Sequence, residues 1–218
     1  FLRPFPRRGL LPMSTVHLPL WFDAPLQSWG FASRFQRRAT GLFPTRSGVF
    51  GLVCAAMGLP KGPATDAKLQ QFSGTRLTLR QFPRCAGQKL DSPLLVQRLE
   101  DFHTVLNTRR ASGAMNPDPV ITRRQYLLEA RFGLRLSGGR DLLEPVAAAI
   151  RDPRWGVWLG RKSCLPAAPL CPGGPYATED DAWQALLRAA SLPPKRISQR
   201  WKKSRISPKA PTPSTTAR

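Results

Sequence analysis

Segments that alternate apolar and polar residues, segments with a helical apolar period, and their order of strand, helix, strand, strand, helix, strand predict an α+β fold. The arrangement is the split βαβ, ferredoxin-like (RRM-like) βαββαβ type. A long connection between the second and third strands, residues 83 to 122, predicts an inserted thumb hairpin or arm, because so long a link inside a compact domain rarely serves as a turn.

The first strand is VHLPLWFDA from Val16. Val16, Leu18, Leu20 and Phe22 share one side, so it reads as half-buried, closed by the turn material APLQSWG. Pro19 lacks a ladder donor and suits an edge position or a bulge. After the basic link SRFQRRATG, the stretch FPTRSGVFGL opens a helix in which Val49, Leu52, Val53 and Ala56 recur at i, i+3, i+4 and i+7. Gly58 and Pro60 end it. TRLTLRQF from Thr75 alternates as a second strand. QYLLEARFGLRL reads as one continuous strand with Tyr126, Leu128, Ala130, Phe132, Leu134 and Leu136 on one face and Arg131 and Arg135 on the other. SGGRDLLEPVAAAI supplies a glycine turn and a helix with Leu142, Leu143, Val146 and Ile150 inward, and RWGVWLGRKSC is the candidate fourth strand. EDDAWQALLRAA is a last helix, with acids at its positive end.

The expected organisation is an N-terminal extension over 1–14, with Met13 as the natural first residue. A domain over 15–165 follows with its arm at 83–122, then a small C-terminal helical region over 166–192. A basic tail over 193–218, rich in Pro, Ser and Thr, is expected to be disordered on its own.

Charge narrows the function. The 218 residues hold 34 Lys plus Arg against 13 Asp plus Glu, a formal charge of +21. Eight of these bases lie in 195–218 and three in 1–12, which leaves the body at +10. Arg outnumbers Lys by 26 to 8, and the guanidinium grips phosphate with a planar two-pronged donor set. A polyanion, nucleic acid first, is the expected partner. The four cysteines, Cys54, Cys85, Cys164 and Cys171, form no CxxC pair and have no His at zinc-ligand spacing, so they read as free thiols in a reducing, cytoplasmic compartment. No metal or cofactor is expected. No apolar run approaches the roughly twenty residues of a membrane span.

Four stretches could carry chemistry. Thr45, Arg46, Ser47 and Gly48 stand where the free N–H groups of a helix start would meet an anion, although simple capping explains the hydroxyls as well. In PLQSWG, Trp29 offers a face to a base, although a Trp near a strand end more often packs in the core. The arm carries His103, Arg109, Arg110, Arg123 and Arg124, suited to phosphates or to solvent. GRKSC holds Arg161 and Lys162. With only His17 and His103 present, catalysis is restricted to a metal-independent ribonuclease built on His103, Tyr126 and a cation. No paired carboxylates or Ser/His/Asp set can be assembled.

APLQSWG, FPTRSGVFGLVCAAMGL, DFHTV, ITRRQYL and WLGRKSC, in that order and at these separations, resemble the Cas-five family of CRISPR-associated RAMP proteins, in its type I-E branch, over about residues 15 to 190. The resemblance implies a ferredoxin-like domain with a protruding thumb. It implies a non-catalytic subunit that caps one end of the Cascade surveillance complex and holds the 5′ handle of the CRISPR RNA (crRNA). Its neighbours would be the backbone subunit, the large PAM-recognising subunit and the crRNA-processing subunit, with target DNA engaged through the complex in antiviral defence. RNA contacts carried over by position fall on Ser28, Trp29, Thr45, Arg46, Ser47, His103, Arg109 and Arg110. Arg34, Arg123, Arg124, Arg161 and Lys162 are added to them. A type I-C branch cuts precursor RNA with a Tyr, Lys and His set, and the thumb here lacks a Lys–His pair. Members usually continue into further strands after the last helix, so the resemblance is expected to end near residue 192.

Overall fold

The computed structural model describes residues 15–33, 36–83 and 96–190. The strands are β1 Thr15–Asp23, β2 Leu26–Gln27, β3 Arg37–Arg38, β4 Arg76–Gln81, β5 Gln97–Val105, β6 Val120–Leu128 and β7 Arg131–Gly139. The helices are α1 Arg46–Ala56, α2 Pro63–Gln71, α3 Arg140–Arg151 and α4 Glu179–Ala189. A 3-10 turn, Phe72–Gly74, joins α2 to β4.

Two antiparallel arrangements organise the chain. One sheet runs β1-β7-β4, with β7 antiparallel to both neighbours. The other is built on β6, which pairs antiparallel with β2 and β5 and parallel with β3. The arm expected at 83–122 is therefore a hairpin of β5 and β6, whose second strand runs on to Leu128. Residues 84–95 of that expectation lie outside the described residues.

The main core lies between the first sheet and helices α1 and α3. Val16, Leu18, Leu20 and Phe22 of β1 and Phe132, Leu134 and Leu136 of β7 meet Val49, Val53, Leu143 and Val146 there, all buried. The opposite face of β1 was expected to be solvated and is not. Residues 166–190 fold back on the sheet, and α4 buries Trp21 with Phe82, Trp183, Leu186 and Leu187 in a second cluster. Every β1 residue but Thr15 is thus buried. The acids in the first turn of α4 meet the basic face of the sheet. The Glu179 carboxylate stands 2.7 Å from Arg135 Nη1, whose side chain is only 5% exposed, and Arg80 lies 3.9 Å over the Trp183 ring.

Two strand expectations are corrected. QYLLEARFGLRL is not one strand: the chain leaves β6 at Glu129, which takes a left-handed φ of 54°, and enters β7 in the other sheet. The Glu129 N–H donates to Pro25 O (2.9 Å) and the Gln27 amide donates to Ala130 O (2.7 Å), which fixes the crossing. Apolar alternation continues unbroken through the bend, so the pattern hid it. The fourth strand expected in RWGVWLGRKSC is a series of turns, with Leu159 N–H bonded to Cys164 O (2.8 Å).

The free edge of β1 is met by residues 167–176, where Trp21 N–H donates to Leu170 O and His17 and Tyr176 exchange both backbone bonds. Pro166, Pro169, Pro172 and Pro175 interrupt any continuous ladder there. Pro19 fits the edge position expected for it, since its nitrogen lies in register with the outward-facing ones of His17 and Trp21. α2 had no sequence expectation because PATDAKLQQ has no apolar period.

His17 is buried, and its Nδ1 lies 2.8 Å from Ser137 Oγ. Burial, then the charge of Arg135, hold its pKa below the usual 6.5, against a smaller opposite pull from Glu179. A histidine that binds fewer protons folded than unfolded contributes fully above pH 6.5 and loses stability as pH falls from there towards its depressed value. Melting temperature should therefore drop on acidification below pH 6.5, and His17→Gln should flatten that part of the curve. An unchanged profile in the variant would assign the acid limb to other groups.

Candidate nucleic-acid interface

Three stretches far apart in sequence meet in one open cavity of about 370 Å³ lined by Ser28, Trp29, Gly30, Thr45, Ser47, Gly48, Gly160 and Arg161. Each wall has a local cause. Thr45 is the N-cap of α1: its φ and ψ are extended and its Oγ1 accepts from Gly48 N–H at 3.2 Å. Its hydroxyl also lies 3.4 Å from Ser47 Oγ, so capping and cavity lining coexist in one residue. Gly48 brings the helix against the loop wall, since a Cβ there would stand 3.0 Å from Trp29 Cε3. Gly160 does the same for the third wall. Its φ is 107°, and a Cβ would lie 1.8 Å from Ser28 O.

Arg161 is the cation of the cavity. Its guanidinium donates to Arg38 O (2.7 Å) and Gln125 O (3.2 Å) and lies 4.7 Å over the Tyr126 ring. Ser28 Oγ donates to the same Gln125 carbonyl at 3.2 Å. These bonds lock the turn at 160–161 onto the second sheet, beside its arginines. There the parallel register sets Arg37 opposite Arg123 and Arg38 opposite Arg124. Arg37 and Arg38 are exposed, and Arg123 lies 3.8 Å from Glu100. On the next strand Phe102 is opposite Arg123 and 61% exposed, so Phe102, Arg123 and Arg37 share one open face, while Arg38 and Arg124, one residue along, lie on the other face with Tyr126 and Arg161. These are the ingredients of a single-strand track, phosphate grip with interleaved stacking.

Ser28, Trp29, Thr45, Ser47 and Arg161 of the expected contacts are thus brought together. Trp29 is corrected as a base platform: its ring is 1% exposed, stacked 5.5 Å from Phe22, with its indole N–H donated to Gln27 Oε1 at 3.1 Å. It shapes the wall rather than presenting a face. Arg46 is not among the residues that line the cavity. It donates to Phe72 O (2.7 Å) and Thr75 O (3.0 Å), and lies 4.7 Å over Phe50.

Arg109 and Arg110 sit at the hairpin tip, where Arg109 bridges Met115 and Arg110 Nη2 reaches Asn116 at 3.3 Å. His103 lies on β5 with its Nδ1 4.0 Å from Asp101, and Lys162 lies 5.8 Å over Trp158. Arg124 Nε donates to Thr122 Oγ1 at 3.0 Å. Arg34 is outside the described residues.

Sequence reasoning passed over Arg37 and Arg38. The run RR in SRFQRRATG was visible as charge, but a two-residue strand has no period to give its register.

The ribonuclease alternative loses its geometry. His103 lies opposite Thr122, whereas Tyr126 lies opposite Leu99 further along the hairpin and is buried under Arg161. No group of His, Cys, Asp or Glu that could hold a metal occurs among the described residues. Cys54, Cys164 and Cys171 are free, and burial pushes all three thiols up. No described helix is long and apolar enough to cross a membrane.

The sequence pattern of the family described as CRISPR-associated protein (Cas_Cas5) matches residues 17–213. The chain belongs to that family. The Cas5 match runs past residue 192, where the motif resemblance was expected to end. The CRISPR system Cascade subunit CasD of Escherichia coli (strain K12) is 33% identical over 176 residues, covering 78% of this chain and 75% of that protein. A solved chain described as part of a CRISPR RNA-guided surveillance complex superimposes with a TM-score of 0.62 at 28% identity, over 78% of this chain and 67% of the other. The mixed α+β architecture with antiparallel sheets is therefore a Cas5 architecture.

Proposed function

We propose that the chain is the Cascade subunit that binds and caps the 5′ handle of crRNA without cutting it, a role in which the thumb hairpin and the sheet of a ferredoxin-like domain are its two gripping parts. The observation that carries this reading is the convergence of the Ser28, Thr45–Gly48 and Gly160–Arg161 walls beside the Arg38–Arg124 row, on the face of β6 that carries Tyr126 under Arg161. Hydroxyls and a guanidinium at the cavity suit one phosphate, and the Arg38–Arg124 row suits those that follow. The kinship to a Cascade subunit supports crRNA as the polyanion, and backbone, large and crRNA-processing subunits as neighbours. Exposed Phe31, Leu42 and Phe43 beside the cavity loop, and Leu106 and Met115 on the hairpin, are apolar surface that such neighbours would cover.

Labelled handle RNA and a scrambled RNA of equal length are compared at matched salt. The handle should bind more tightly. Arg38→Ala and Arg124→Ala should each weaken binding and reduce the slope of log affinity against log salt by about 0.7 per lost phosphate contact. Equal affinity for the scrambled RNA would reduce the protein to a general basic binder. A discrete cleavage product from repeat RNA, lost in His103→Ala, would establish the endoribonuclease alternative instead.

A further inference from the structure

A second cavity, of about 280 Å³, adjoins the first and shares Gly48 and Gly160 with it. Its floor is the outer face of α1, where Gly51 has nothing within 4 Å of the place a Cβ would occupy. Its far wall is Trp158, which folds over Gly156 so closely that a Cβ there would lie 2.4 Å from the indole. Lys162 Nζ stands 5.8 Å from the Trp158 ring centroid. Leu52, Ala55 and Val157 complete the lining.

From these features we infer that the second cavity is a nucleobase subsite. This rests on the RNA-binding reading of the first cavity and extends it. A nucleotide whose phosphate meets Ser28, Thr45, Ser47 and Arg161 would carry its base across the Gly48–Gly160 saddle and lay it between the bare backbone at Gly51 and the indole of Trp158. The continuity of the two cavities selects a ligand with an anionic end joined to a flat apolar one. The cation at Trp158 suits a strand with further phosphates. The one side-chain hydrogen-bonding group in the lining is the indole N–H of Trp158. What the pocket mainly offers is a flat face to stack on, which every base can use, so the subsite reads the presence of a base more than its identity.

The full chain is titrated with synthetic handle RNAs, each with one abasic site, and with RNAs carrying each alternative base at the same positions. One position should lose about 5- to 100-fold in affinity on base removal, the range expected of one base–aromatic stack, and almost nothing on exchange of one base for another. Gly51→Leu fills the cavity, and it should melt no lower than the parent because leucine is the better helix former. That variant, and separately Trp158→Ala, should bind intact handle more weakly and show no further loss at the abasic position.

If no position is sensitive to base removal, or if the sensitivity persists in Gly51→Leu, the subsite is overturned. The same holds if Gly51→Leu keeps full RNA affinity but no longer co-assembles with other Cascade subunits, because the cavity then takes protein. Failure of the handle reading has a different result: scrambled and handle RNA bind alike, while the abasic comparison still scores the subsite.

Discussion

Gly160→Ala should leave little stably folded protein. The added Cβ would fall 1.8 Å from Ser28 O and 2.7 Å from its carbonyl carbon, on a backbone with φ 107° that L side chains rarely adopt. Ser28 has little freedom to retreat. Its N–H is bonded to Leu159 O at 3.0 Å, and the N–H of the next residue, Trp29, is bonded to Thr40 Oγ1 at 2.8 Å. The expected cost is about 3 kcal/mol or more, read by thermal denaturation. Gly113→Ala is the control, since Gly113 also has a positive φ (83°) but open space around it. It should cost only the backbone strain of about 1–2 kcal/mol. Equal melting of the two variants would show that the Ser28–Gly160 approach is not what holds the cavity wall.

Arg46→Ala is expected to lower stability while leaving RNA affinity per folded molecule within about twofold. The guanidinium ties the start of α1 to the carbonyls at Phe72 and Thr75, where the 3-10 turn hands over to β4. Charge-assisted bonds of this kind contribute about 1.5–3 kcal/mol when sheltered. Arg46 is partly exposed, so about 1–2 kcal/mol is the reasonable range. Arg46→Lys should recover only part of the loss, because one ammonium cannot fork between two carbonyls as a guanidinium does. A tenfold fall in handle affinity at unchanged melting temperature would return Arg46 to the RNA site.

Much of the fold was legible because its elements carry strong periods. β1, α1, β4, α3 and α4 stand close to where alternation, the i, i+3, i+4 spacing and the acidic helix start placed them. The failures have distinct physical origins. The turn at Glu129 depends on a left-handed residue, on the Pro25 carbonyl and on the Gln27 side-chain amide, none of which leaves a mark on the local pattern. The segment 154–164 has strand-like residues, yet its backbone groups bond to one another and to Ser28.

The site divides in the same way. Hydroxyls, glycines and cations could be read as candidates, and Thr45 does cap its helix. That Ser28, Thr45 and Arg161 meet is a property of tertiary packing, as are the carbonyl partners of Arg46. Trp29 illustrates the limit. A tryptophan beside a glycine is equally compatible with a stacking platform and a core residue, and only the position of Phe22 decides between them.

The proline-broken segment 167–176 bears on how this protein can associate. It covers the outer margin of β1, and Pro19 removes a donor from that margin. A foreign strand therefore finds no run of free amides and carbonyls there on which to polymerise. Joining with other subunits through this side must rely on side-chain complementarity, which can be partner-specific in a way that backbone zippering cannot.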